Sequence, residues 1–149
     1  MNKTPLPRPR LRLSLGMESG HSEEITEGVR VRVAAQFEPQ RSNPEEDRWV
    51  YSYRVRISNE GDIQVQLLNR HWIIRDAENE VEEVRGPGVV GEQPVLMPGE
   101  TFEYVSGCPL PTNWGTMEGS YEMETEDKRR FHAKIGRFFL AATVAPIPE

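Results

Sequence analysis

Residues Arg85-Gly86-Pro87-Gly88-Val89-Val90-Gly91-Glu92-Gln93-Pro94 can be read in two ways, and the two readings belong to different folds. They hold the only Gly-x-Gly-x-x-Gly of the chain. In a nucleotide-binding α/β unit that spacing follows a strand and opens a helix. The glycines let backbone N–H groups close on a pyrophosphate, and the helix N-terminus faces its charge. A strand is available here, since Glu80-Val81-Glu82-Glu83-Val84 suits extended backbone. A helix is not, because Pro94 follows Gly91 within three residues and Pro98-Gly99 come soon after. In a helix interior a proline costs about 3 kcal/mol and a glycine about 1 kcal/mol relative to alanine. The stretch is therefore read as a glycine loop on a β scaffold, in which Gly86, Gly88 and Gly91 supply positive φ or close backbone approach.

Working outward, the flanking sequence has period two rather than 3.6. Val29, Val31, Val33, Ala35 and Phe37 alternate with Arg30, Arg32 and Gln36, the mark of a half-buried strand. Glu38 to Asp47 is a polar loop with two prolines. Trp49, Tyr51, Tyr53, Val55 and Ile57 form a second alternating set, rich in aromatic and β-branched residues. After a turn at Asn59-Glu60-Gly61-Asp62, the segment from Ile63 to Asp76 is extended, with His71 and Ile73 on one face and Trp72 and Ile74 on the other. Glu80 to Arg85 leads into the glycine loop. Beyond it, Pro98-Gly99 suits a type II turn and Thr101 to Ser106 is a strand. Gly107 to Gly115, with Cys108, Pro109, Pro111 and Trp114, reads as a loop. Met117, Gly119, Tyr121 and Met123 then alternate with Glu118, Ser120, Glu122 and Glu124. Phe131, Ala133 and Ile135 open a final extended segment that runs to Val144. Seven to eight short strands with regular turn signals predict an all-β antiparallel sandwich.

The 149 residues suit one domain with a real core. A net charge of −6 argues against sequence-independent nucleic-acid binding, which needs a basic face. Cys108 is the only cysteine, so an intrachain disulfide and a thiolate zinc cluster are excluded. No apolar run approaches the ~20 residues that span a bilayer, so no membrane insertion is expected. The proline-broken, basic segment Met1 to Gly16 lacks the apolar stretch of a signal peptide. Residues 1–26 are predicted to be a disordered tail, with Met17 as an alternative start, and residues 27–146 to form the sandwich.

At this point five segments resemble one family. Asn69-Arg70-His71-Trp72-Ile73-Ile74, Gly86 to Pro94, Pro98-Gly99-Glu100-Thr101-Phe102-Glu103-Tyr104, Ser106-Gly107-Cys108-Pro109-Leu110 and Gly115 to Met123 occur in the order found in bacterial ApaG proteins. The resemblance runs from Val29 to Val144. It implies an immunoglobulin or fibronectin type III-like sandwich and a cytoplasmic protein associated with cobalt resistance and magnesium transport. It also implies a link to diadenosine tetraphosphate metabolism through gene neighbourhood. Similar domains in F-box proteins and in a polymerase delta-interacting protein look like protein-binding modules. The family supplies no catalytic residues to carry over.

The residues themselves point the same way. A catalytic His71 would need a partner in hydrogen-bond reach, and the sequence names none. His21, His71 and His132 have no metal-ligand spacing, and the acids from Glu118 to Asp127 read as a solvated face. No cofactor, metal site or enzymatic activity is expected. The expected function is recognition of a protein partner, with Gly86, Pro87, Gly88, Val89, Val90, Gly91, Glu92, Gln93 and Pro94 as the binding loop. Arg70, His71, Trp72 and Trp114 are its candidate supports. The alternative is a nucleotide or dinucleoside-polyphosphate binder using Gly86, Gly88 and Gly91. A basic group beside Gly88 would favour that alternative.

Overall fold

The computed structural model describes residues 20–142. Nine strands lie among them: β1 (His21–Thr26), β2 (Val29–Phe37), β3 (Trp49–Asn59), β4 (Val65–Asp76), β5 (Val81–Pro87), β6 (Val95–Leu96), β7 (Thr101–Leu110), β8 (Trp114–Thr125) and β9 (Arg130–Ala141). Helical geometry among the described residues is confined to two 3-10 turns, Pro39–Arg41 and Pro44–Glu46. All pairings are antiparallel. One sheet has the order β1-β2-β3-β7 and the other β5-β4-β8-β9, with β6 continuing beside β4. The protein is an all-β two-sheet sandwich.

The alternating sets seen in the sequence become the two inner faces. Val29, Val31, Tyr51, Val55 and Ile57 of the first sheet are buried against Met117, Tyr121, Met123, Ile135 and Phe138 of the second. Trp72 sits at the middle, edge-on to Tyr53 (5.3 Å between ring centroids), Tyr121 (6.3 Å) and Phe138 (6.0 Å). Such tilted arrangements set the positive ring edge against the negative face. Burial of this tryptophan depends on a β-bulge between Leu67 and Asn69. An unbroken alternation would bury Leu67 and His71 together. The extra residue reverses the facing, so Leu67 and Trp72 are buried and His71 turns outward.

Three sequence expectations need correction. Gly107 to Leu110 is not loop but the end of β7, paired with Trp49 to Ser52. Pro109 is tolerated because β7 is an edge strand and the nitrogen at that position points away from the ladder. Trp114 opens β8 and is not part of a loop. The third concerns the tail. Residues 1–19 lie outside the described part, but His21–Thr26 forms β1, paired along its length with β2. The sandwich thus begins before Glu27. Its expected end at Pro146 lies outside the described residues. β1 and the two-residue β6 raise the strand number above the expected seven to eight. β1 escapes a hydrophobicity reading because Ile25, its one large apolar residue, is half exposed. Its hold comes from the ladder, from Glu23 between Arg30 and Arg32, and from Lys134 N–H donating to Thr26 Oγ1 (3.1 Å).

Candidate functional site

The glycine segment divides into two parts. Gly86 and Pro87 belong to β5, opposite Arg70 and Asn69 of β4. Gly88 to Glu92 closes a tight hairpin: Val89 N–H donates to Glu92 O (2.8 Å) and Glu92 N–H returns to Val89 O (2.9 Å). The two central residues, Val90 and Gly91, both have positive φ, 42° and 82°. That is the signature of a type I′ turn, whose twist matches the flanking strands. Gly88 is also at positive φ, and a Cβ there would lie 2.3 Å from Glu92 O, so no side chain fits. The segment expected to be a long loop is therefore a strand end and a compact turn.

The paired valines do not act alike. Val89 is buried in the core, whereas Val90 is 56% exposed at the tip. A β-branched residue in the left-handed region is an outlier that costs about 1–2 kcal/mol. Asparagine or glycine would meet the turn's demands with less strain.

Arg70 is the basic group beside Gly88, and one of its terminal nitrogens is engaged by the turn. Nη1 donates to Pro87 O (2.9 Å) and Gly88 O (3.0 Å). The guanidinium occupies the space above Gly86 that a side chain would fill, 3.0–3.1 Å from where a Cβ would stand. Three loop amides are committed as well: Gly88 N–H donates to Leu68 O (2.8 Å), and those of Val89 and Glu92 close the turn. Gln93 Nε2 donates to Leu68 O (2.8 Å), and Gln66 Nε2 donates to Gln93 O (3.1 Å). A phosphate cradle offers amides to its ligand. Here three of these amides are consumed, and Arg70 Nη1 gathers two carbonyls.

The other candidates fall in different places. Trp72 is core. His71 stands on the outer face of the second sheet with Nε2 2.8 Å from Glu83 Oε1. This hydrogen bond, helped by Arg85, holds the Glu83 carboxyl below its usual pKa. An ionised carboxylate only accepts, so Nε2 carries the proton. This partner is invisible in sequence spacing because Glu83 reaches His71 from a neighbouring strand. His71 borders a shallow depression of about 410 Å³ on the sheet face, floored by Ser120 and edged by Asn69, Arg85, Glu122 and His132. Ser120 is directly opposite His71. Ser120 Oγ makes no side-chain hydrogen bond among the described residues, and the surrounding sheet amides are spent in the β4–β8 ladder. Serine, histidine and carboxylate thus stand in order with no hydrogen bond from Ser120 Oγ to His71 among the described residues.

Trp114 lies away from the loop. It stacks on Phe139 (6.2 Å, 19°) beside the end of β4 at Asp76, whereas the turn hangs from Leu68. Eight strand residues separate the two levels, roughly 26 Å. The acids of β8 face arginines of β9: Glu118 pairs with Arg137 (3.3 Å) and Glu124 with Arg130 (3.3 Å). Among the described residues no three histidine, cysteine or acidic side chains converge as metal ligands.

Residues 39–125 match the ApaG domain family. The chain is 56% identical to Protein ApaG of Rhodospirillum centenum over 117 residues, 78% of this chain and 90% of that protein. Protein ApaG of Dechloromonas aromatica is 51% identical over 114 residues, 76% of this chain and 90% of the relative. A solved structure from Bordetella pertussis, described as an ApaA protein, superposes with a TM-score of 0.74 at 46% identity, covering 83% of this chain and 96% of that one. The chain belongs to the ApaG family.

Proposed function

We propose that this ApaG-family chain is a non-enzymatic recognition module that binds a protein partner through the Val89–Glu92 turn. The observation that carries the reading is Val90: a half-exposed β-branched side chain held at positive φ on a turn that is otherwise fully braced. Strain of this kind persists where the surroundings enforce it and is found at ligand clamps and contact points. Val89 anchors the turn from below, and Arg70 ties its carbonyls to β4. A rigid tip with a small apolar head costs little entropy to dock. The neighbouring glycines let a partner's backbone approach.

The dinucleoside-polyphosphate reading is the weaker one, because the amides of Gly88, Val89 and Glu92 and the Nη1 of Arg70 are engaged within the protein. Association with cobalt resistance and magnesium transport is then indirect, through a partner in the cytoplasm that handles the ion. The immunoglobulin or fibronectin type III-like character of the sandwich fits a module of this kind.

The test is affinity capture with the wild-type domain and with Val90→Asp, read by quantitative mass spectrometry alongside the melting temperatures. Val90 is exposed, so the variant should melt within about 2 °C of the wild type, a change well under 1 kcal/mol for a chain of this size. It should lose the partner, since interface centres exclude unpaired charge. Equal recovery by both proteins would defeat the proposal. In parallel, calorimetric titration with diadenosine tetraphosphate, with and without magnesium, should give no saturable heat.

A further inference from the structure

We infer that the outer edge of β5 is a self-association surface, and that two copies of the chain join their second sheets edge to edge about a two-fold axis at Val84. The two ends of the strand fix which groups face outward. Asp76 N–H donates to Glu80 O (3.0 Å), and Gly88 N–H donates to Leu68 O (2.8 Å). Even-numbered residues of β5 therefore turn their amides and carbonyls toward β4, and Val81, Glu83 and Arg85 turn theirs outward. β5 is the edge of its sheet and pairs with β4 in unbroken register.

Exposed edges are normally blunted by proline, bulges, lysine or a covering element. β7 carries Pro109 at an outward position, and β1 and β9 lie against each other through Lys134 N–H and Thr26 Oγ1. From Val81 to Gly86, β5 has no proline, bulge, lysine or cover, only the charges of Glu82, Glu83 and Arg85. Pro87, without an N–H, ends it.

One register satisfies both faces. β5 runs from Val81 to Pro87, so its midpoint is Val84. Antiparallel pairing about that midpoint sets Glu83 opposite Arg85 of the second copy, and Arg85 opposite its Glu83. Both residues present outward amides, so the two strands exchange backbone hydrogen bonds at these positions. On the inner side the same register sets Glu82 opposite Gly86 of the second copy, where the Arg70 guanidinium fills the missing side chain's place. Glu82 has no ion pair among the described residues. Shifting the axis to Glu83 would set that carboxylate against itself, and like charges directly opposite are unfavourable. The β7 edge offers no such match: pairing about its midpoint sets Glu103 opposite Cys108. An isologous contact of this kind closes at two copies.

The experiment is sedimentation velocity of the full chain over a dilution series, for the wild type, Arg85→Glu, Glu83→Arg and the double reversal. The wild type should dissociate reversibly from dimer to monomer. Each single reversal breaks two symmetry-related pairs and should raise the dimer dissociation constant about tenfold or more, and the double reversal should restore it. Arg85 is exposed, so its variant should fold normally, and melting curves check this. Hydrogen exchange gives an independent readout: the amides of Val81, Glu83 and Arg85 should gain protection with concentration. A wild type that stays monomeric throughout would overturn the inference. So would a dimer indifferent to the reversals, or unchanged exchange at those three amides.

Discussion

Val89 and Val90 are adjacent and chemically identical, yet they have opposite duties, and the difference is one of backbone. The turn points the first into the core and holds the second out at positive φ. Val89→Asp places a charge in an apolar site and should cost at least ~3 kcal/mol. Val90→Gly removes a strained conformation and should leave stability unchanged or raise it by up to about 1 kcal/mol; denaturant titrations of the two variants measure both effects. Sequence places the pair within the glycine loop but not which member turns in, because that depends on where the turn closes. Cys108 is a second residue whose state comes from packing. Its thiol is buried and pushed up to about 12, mainly by desolvation. A disulfide reagent at about pH 8 should leave it untouched in the native protein and modify it fully after unfolding.

At the scale of elements, strands whose hydrophobic alternation faces a core were legible: β2, β3, β8 and most of β9. Those held by other means were not. β1 rests on its ladder and on ion pairs, and the end of β7 hides behind a proline that its edge position tolerates. The bulge after Leu67 exchanged the faces of His71 and Trp72, a change of phase that period-two reading carries no mark of. These elements differ in what their removal should do. A chain lacking residues 1–16 should keep the wild-type melting temperature. One lacking residues 1–26 loses β1, unpairing one edge of β2, and should melt several degrees lower, roughly 1 kcal/mol or more for a domain of this size. Thermal scans of both truncations provide the comparison.

Across the whole molecule, the acids that the sequence places on a solvated face pair with arginines from neighbouring strands, a pairing that sequence spacing does not reveal. Neighbouring arginines hold the Glu23 and Glu60 carboxyls below the usual carboxylate range. Asn69, with Arg130, does the same for Glu122. A carboxyl depressed in the folded state stabilises above its unfolded pKa, and that contribution is lost as pH falls through the folded value. The melting temperature should therefore be nearly flat from about pH 7 to about pH 5 and fall below about pH 4.5. Salt should shrink the effect, because these pairs are exposed and screened.

The sandwich supports a braced turn, and the claim that the turn recognises a protein is tested most directly by photocrosslinking from position 90. A photoreactive residue replacing Val90, irradiated in a bacterial extract, should give a discrete adduct with one protein. The same residue at Glu126, in the β8–β9 turn, should give none. An absence of adducts from position 90, or the same adducts from both positions, would contradict the account.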